Sequence, residues 1–575
     1  MLSLSLAGLV LAAVLTAGYL LYRAAIPTPI PGIPFVRLSA TRPFGDFPAL
    51  VKHNAKTKEF TSFLVNKCVE LNSPVIQVFI RPFQRPWVVL QDSREAQDVL
   101  ARRTREFDRS EAFIDMFVGT IPHSMTVTRT NDQWRSNRRL MADTMSPQFL
   151  HGVAAPRERA TFNSILDLWK IKADLAQGHA FEATQDLDQL MVDNITGIAF
   201  GTSTGVIDAQ VKLLKSLSKL LEPPTGLAKP VLFPSAPHPE IYDALTKVAW
   251  SSEIGLKSPF GRYHHAFALK YYPKLRKAVQ IRDAFITERL QAAWKKFNDA
   301  EASEDDVKSA CDLIVAKEVF LAKKHGRAPE YDSPVVRDEL FGFLLAGFDT
   351  TAGTIKWGLK YLTKHQDVQR KLRDSLRSTF KQAKADGELP KAEDMATLRT
   401  PYLDAVLEEI LRLGITAQGN VRVATQDVEL LGYHIPKGTD VVTPNSGPSL
   451  SAPPMYVDES KRSKTSQAVA PEDRWTGDWD QTTLGEFRPE RWLRKNAQGE
   501  MDFDSRAGPM QTFGGGLRGC FGRKLAMLSL RIFFTMLIWI FELQPVPDEL
   551  DSWAAEDLMT HQPQQTYVQL KACAT

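Results

Sequence analysis

Cysteine is scarce in this chain of 575 residues: four occur, Cys68, Cys311, Cys520 and Cys573, and no two form a Cys-x-x-Cys pair. That spacing argues against a zinc ribbon or a disulfide scaffold and implies a reducing, cytosol-facing domain. A surplus of charge is missing too, with 71 basic against 67 acidic residues and a net of +4. Such a balance gives no reason to invoke nucleic acid or a strongly acidic partner. No low-complexity linker or internal repeat divides the middle. Length alone suggests about three or four domains, but one large domain plus an anchor fits better. Charge is absent from Leu2 to Tyr22, whose roughly 20 residues at about 1.5 Å each match a hydrocarbon core of about 30 Å. A cleaved signal peptide would carry basic residues ahead of its apolar run, whereas the first charge here is Arg23. Residues 1–26 are therefore expected to span a membrane with the N-terminus lumenal and the large domain cytosolic. The segment Pro27-Thr-Pro29-Ile-Pro31-Gly-Ile-Pro34 cannot be helical and reads as a stiff, extended hinge over 27–34.

What the chain does have is one cysteine in a glycine-dense loop, Phe513-Gly-Gly-Gly-Leu-Arg-Gly-Cys520-Phe-Gly522. Glycines supply backbone angles and close approach that a Cβ forbids, so the loop can fix its thiol against a flat partner. From Arg523 to about Leu543, the residues Leu525, Leu528, Ile532, Met536, Trp539 and Ile540 recur at helical spacing. Cys520 then sits at or just before a helix N-terminus, where the dipole and Arg518, Arg523 and Lys524 favour the thiolate that a metal requires. A lone cysteine in a glycine turn is otherwise a structural residue.

A long helix is expected from Ser333 as cap and Pro334 as first residue to about Thr363. Its middle, Ala346-Gly-Phe-Asp349-Thr350-Thr351, puts a carboxylate and hydroxyls in an apolar stripe, which is costly unless they have a task. A hydroxyl beside an acid can relay protons; the alternative is a threonine bonded back to its own helix. Trp134 and Arg138, one turn apart on a helix, offer donors suited to carboxylates, though such pairs also occur on solvated faces. On a helix over Pro401–Leu413, Glu409 and Arg412 can pair, with Arg491 as a third member. The runs Val75–Ile80 and Trp87–Leu90 read as a hairpin, Ser93–Thr104 as a helix and Phe107–Asn131 as irregular. Helices are expected within 158–200 and 271–294. His434 reads as a strand residue and the polar run 458–479 as a surface insertion.

On these residues the chain resembles the cytochrome P-450 superfamily. Phe513, Gly516, Arg518, Cys520 and Gly522 fill its haem loop, Phe-x-x-Gly-x-Arg-x-Cys-x-Gly. Ala346 to Thr351 match its Ala-Gly-x-Asp-Thr-Thr motif, and Phe487-Arg-Pro-Glu-Arg491 resembles its Phe-x-Pro-Glu-Arg segment. The stretch Gly414–Asn420 departs from it, lacking the His-Pro or Pro-Pro step of many relatives. The resemblance implies a mainly α fold with a small β region over 35–575, following the anchor and hinge. It implies haem b, with Cys520 on the iron and Arg518, Trp134, Arg138, Arg422 and Phe513 around the cofactor, and catalytic roles for Asp349 and Thr350. It places substrate contacts in 107–131, 223–263 and 560–567.

The implied reaction is oxidation of a hydrophobic small molecule by O₂ and two electrons. No flavin or nicotinamide fingerprint follows Leu543, so the electrons are expected from NADPH-cytochrome P-450 reductase, with cytochrome b5 as an optional second donor. Arg518, Arg523 and Lys524 could help an acidic partner dock near the cysteine. The setting is a single pass through the endoplasmic reticulum membrane with the catalytic domain cytosolic, and fungal-type secondary metabolism. Two other readings stay open: an O₂-independent isomerase or dehydratase, and a haem sensor or carrier without turnover.

Overall fold

Ser333 Oγ accepts the Val336 N–H at 3.3 Å and Pro334 fills the first position, so the central helix starts as expected and runs Pro334–Lys364. Its 31 residues span about 46 Å. The computed structural model describes residues 2–217, 224–258, 260–299, 302–470 and 479–573. Pro223 and Pro259 of the expected cover and 471–478 of the insertion lie outside the described residues.

Around the central helix, Ala155–Ala176, Thr184–Phe200, Pro273–Asn298, Ala310–His325, Pro401–Gly414 and Arg523–Ile540 share one apolar core. A five-stranded sheet stands to one side, in the order Val75–Val78, Trp87–Leu90, Asp440–Pro444, Gly419–Ala424, Phe107–Arg109. Its first two strands form the expected hairpin, Val75 opposite Leu90. The fold is thus mainly α with small sheets, and His434 lies exposed on the strand Tyr433–Ile435.

Several local expectations are corrected. Residues 107–131 are not wholly irregular: after Phe107–Arg109, Ser110 Oγ accepts the Ala112 N–H at 3.0 Å and caps a helix, Glu111–Phe117. The helix from Ser93 stops at Ala101 because the Arg102 and Arg103 N–H groups both close on the Asp98 carbonyl, at 2.9 and 3.0 Å. The helix after the cysteine ends at Ile540. Phe541–Gln544, apolar enough to continue it, pairs instead with Tyr567–Ala572, so ladder partners override the helical pattern.

The insertion is fastened rather than loose. Arg462 pairs with Asp92 at 2.7 Å, Ser463 and Thr465 both donate to Asp98 at 2.6 Å, and Arg94 pairs with Glu459 at 2.8 Å. Glu409, fully buried, takes two bonds from Arg412 at 2.8 Å, one from Arg491 at 3.0 Å and a further one from Trp492 at 2.8 Å. The expected three-residue network is therefore present with a fourth member.

At the N-terminus the helix Leu2–Ala25 contains an unburied stretch, Ala7–Ala25, of mean hydropathy 1.5, long and apolar enough to cross a membrane. Residues 27–34 are non-helical but not free. The Gln77 amide bonds to the Ile30 N–H and to the Ile30 and Ile33 carbonyls at 2.7 to 2.9 Å, tying this stretch to the sheet.

Candidate active site

Gly522 caps the helix Arg523–Ile540, which puts Cys520 just ahead of its first turn. The loop closes on itself, with Cys520 N–H donating to the Phe513 carbonyl at 2.8 Å and Gly519 N–H to that of Gly516 at 3.1 Å. Gly516 has φ 60°, and a Cβ there would lie 2.7 Å from the Leu100 carbonyl oxygen and 2.8 Å from Ala101 Cα. This glycine admits the helix Ser93–Ala101 rather than a flat ligand.

By accessible surface Cys520 is exposed, while the loop and helix atoms about its thiol desolvate it in part. Burial pushes that thiol up, against the smaller lowering effects of the Gly522 N–H, the Arg523 and Arg138 charges and the Arg523 N–H. The helix terminus and the Arg523 charge thus act toward the thiolate as expected, with desolvation opposing them. Lys524 turns away to the Met145 carbonyl, at 3.5 Å. A directly bound metal ion would restore the thiolate, since its charge dominates local proton affinity.

Next to this loop the structure gathers cations. Arg518 is buried, lies 4.8 Å over the Trp134 ring and donates to the Thr128 carbonyl at 2.7 Å, while its Nε and Nη1 have no partner. Arg138 lies 5.5 Å from the rings of both Trp134 and Phe521. Arg422, 4 % exposed, reaches only the Val421 carbonyl at 3.1 Å. Directly opposite it across the ladder stands Arg109, which sequence reasoning missed because its segment read as irregular.

Burial pushes Arg422 and Arg518 down to about 10, and burial with the Arg518 and Arg422 charges pushes Arg109 well below its usual value. Asp108 is the carboxylate that offsets them. Burial pushes it up, but hydrogen bonds from Thr130 and Arg109 N–H, with the Arg518 charge, outweigh that and hold it low. Two buried guanidiniums and the half-buried one of Arg109 beside one carboxylate are unfavourable by themselves, and N–H groups of Arg518 without a partner among the described residues add to the cost. The arrangement fits a ligand that brings carboxylates. Phe513 is placed through its ring, 5.3 Å under the Arg523 guanidinium, as well as its carbonyl.

Across the core, Ala346 and Thr350 are exposed although most of the central helix is buried, so this stripe faces an internal space. Gly347 serves packing: a Cβ would lie 2.6 Å from Ile195. Thr350 Oγ1 donates to the Ala346 carbonyl at 2.8 Å, which is the back-bonded arrangement. Asp349 is buried and held by Thr560 at 2.7 Å and Gln562 at 2.8 Å, two partners not foreseen from the motif. The departing stretch after helix Pro401–Gly414 contains Ile415 at φ 49°, a strained angle for a β-branched residue. It delivers Thr416 to Thr354, hydroxyl to hydroxyl at 2.9 Å. The surface grooves, one of about 620 Å³ beside Tyr361 and Trp553, contain none of these site residues.

The Cytochrome P450 family model matches residues 51–449 and 485–568. The unmatched stretch between them contains the fastened insertion. Similar curated proteins include cytochrome P450 monooxygenase GME11363 of Pestalotiopsis microspora, 40% identical over 573 residues with 99% of both chains covered. Another is cytochrome P450 monooxygenase TRI13 of Fusarium sporotrichioides, 36% identical over 573 residues, covering 96% of this chain and 97% of that one. A third is cytochrome P450 monooxygenase xilC of Penicillium crustosum, 34% identical over 568 residues, covering 97% and 95%. That family carries haem iron on a thiolate. By motif, fold and end-to-end likeness, this chain belongs to the cytochrome P450 family and is an oxidoreductase of the monooxygenase kind.

Proposed function

We propose that Cys520 is the axial thiolate of a haem b and that Arg109, Arg138, Arg422 and Arg518, with Trp134, hold its propionates. The observation that carries this is the surplus of buried guanidinium, with unpartnered N–H groups on Arg518, beside the cysteine loop, which a dianionic, iron-bearing ligand would relieve. Among the described residues no group of three or more His, Cys, Asp or Glu gathers. An iron here would therefore bring most of its ligands with it. When bound, the haem supplies O₂ activation, which the thiolate favours by donating electron density.

The chain's own residues do the rest. Phe513 and Gly519 hold the cysteine loop shut through main-chain bonds. Thr350, its proton committed to Ala346, keeps oxygen lone pairs free toward the internal space and can hold a proton donor such as water there, with Asp349 as the adjoining acid. The substrate is a hydrophobic small molecule, oxidised with two electrons from NADPH-cytochrome P-450 reductase, with cytochrome b5 as an optional donor. Residues 1–26 anchor the chain in the endoplasmic reticulum membrane, 27–34 form a hinge and 35–575 the cytosolic catalytic domain. The similar proteins named above come from fungi, which supports a place in fungal secondary-metabolite synthesis.

The test is the reduced, carbon-monoxide-bound spectrum of Cys520→Ala. Loss of the red-shifted Soret band is expected. Its survival would refute the ligand assignment.

A further inference from the structure

Asp349 does not stand alone behind Thr350. Its Oδ2 accepts the Thr560 hydroxyl at 2.7 Å and its Oδ1 the Gln562 amide at 2.8 Å, and the same amide nitrogen donates to Thr560 Oγ1 at 2.7 Å. On its other side Gln562 Oε1 accepts Lys356 Nζ at 2.7 Å, and Lys356, 1 % exposed, pairs with Asp188 at 2.6 Å. Asp188 belongs to the helix Thr184–Phe200 and is 22 % exposed, the one member of the circuit with an opening to solvent.

The direction of this circuit is fixed by chemistry. An ammonium can only donate, so Lys356 must face the Gln562 oxygen. That turns the amide N–H₂ toward Asp349. The flipped amide would set its N–H₂ against the ammonium and its oxygen against the carboxylate, both repulsive. Lys356 thus orders Gln562, and Gln562 with Thr560 orders Asp349. Space for the arrangement comes from Gly353, between Asp349 and Lys356 on the central helix, where a Cβ would meet Gln562 Cγ at 3.4 Å and Thr560 Oγ1 at 3.7 Å.

We propose that Gln562 and Lys356 are positioning residues that lock the Asp349 carboxylate in one orientation beside Thr350, with Asp188 as the solvent-side end of the circuit. The inference rests on the monooxygenase reading above. A carboxylate free to turn would deliver protons with poor geometry, and small misplacements of catalytic groups cost large factors in rate. The lock acts on how many electrons end in product. It does not act on substrate binding.

The experiment uses the full-length holoenzyme with its reductase and a substrate that the wild type turns over. Gln562→Leu and Lys356→Met should each lower product formed per NADPH by about tenfold, while haem content stays as in the wild type; Lys356→Met, outside the expected substrate-contacting stretches, should also leave the substrate-binding spectral shift unchanged. Lys356→Arg, which keeps donors at this place, should restore most of the coupling. Against an Asp349→Asn background, Gln562→Leu should add no further loss, because it acts through that carboxylate. The same cycle read by thermal unfolding should also show Gln562 and Asp349 coupled. If Gln562→Leu fails to hold haem, Gln562→Glu is read instead, since it keeps volume and the Lys356 pairing but opposes Asp349 with an acceptor. Normal coupling in the Gln562 variants, or additive losses in the cycle, would overturn the lock. The proton-relay reading fails differently: Asp349→Asn itself would then keep wild-type product per NADPH.

Discussion

Replacing Arg422 by Met should stabilise the protein without its cofactor and weaken its hold on the cofactor. Arg422 is 4 % exposed, has one weak main-chain acceptor and faces Arg109 across the strand pair. Burial pushes it well below the ordinary guanidinium value, down to about 10, which at about 1.4 kcal/mol per pKa unit corresponds to roughly 3 kcal/mol charged against the folded apoprotein. The sign follows from linkage. A base whose folded value is depressed destabilises the fold wherever it is protonated in both states, so the cost is complete below about pH 10 and is relieved as pH rises above that toward the ordinary guanidinium range. Methionine keeps the length and removes the charge, so denaturant unfolding of apoprotein from haem-starved cells should shift upward by up to about 3 kcal/mol. In the holoprotein the same change removes a charge-assisted bond of about 1.5–3 kcal/mol. Haem transfer to an acceptor globin should then run about 10- to 100-fold faster. An apoprotein less stable than wild type, or unchanged transfer, would refute the argument that these arginines await an anion.

Glu409→Ala leaves two guanidiniums without their buried carboxylate and should cost on the order of 3 to 5 kcal/mol, read as loss of haem-loaded protein. A normal yield of holoprotein with slower turnover would contradict that architectural role. Deleting residues 2–22 should move the protein from the membrane fraction to the soluble one with its carbon-monoxide spectrum intact; protection of the catalytic domain from protease in sealed microsomes would contradict the topology. Thr350→Ala should keep consuming NADPH but yield mainly hydrogen peroxide, since loss of proton assistance costs about 10²- to 10⁴-fold. Unchanged product per NADPH would refute the proton-relay role of Thr350.

Legibility in the sequence followed the range of the interactions. The central helix was readable almost to the residue because its cap, first-position proline and periodicity are all local. The Glu409 set was readable because its members occupy short motifs, though Trp492 was not, lying one residue past the arginine already implicated. Arg109 was invisible: nothing near it in the chain says that a strand will form at 107–109 and set it opposite Arg422. Thr560 and Gln562 were likewise hidden, since they meet Asp349 from more than 200 residues away. At the cysteine the helix terminus and the nearby Arg523 act in the direction that the sequence implied, and the opposing desolvation is what no local pattern announces.

The clamp between 458–468 and the helix Ser93–Ala101 bears on anyone shortening this protein for expression. The segment falls within the stretch that the family pattern leaves unmatched, so an alignment would mark it as dispensable. Yet it pairs Asp92 with Arg462 and hydrogen-bonds Asp98 through two hydroxyls, on a helix whose far end, at Leu100 and Ala101, forms the bed of the cysteine loop. Trimming it would leave Asp92 without its arginine and Asp98 without two of its donors. The damage would surface far from the cut, as a loosened cysteine loop.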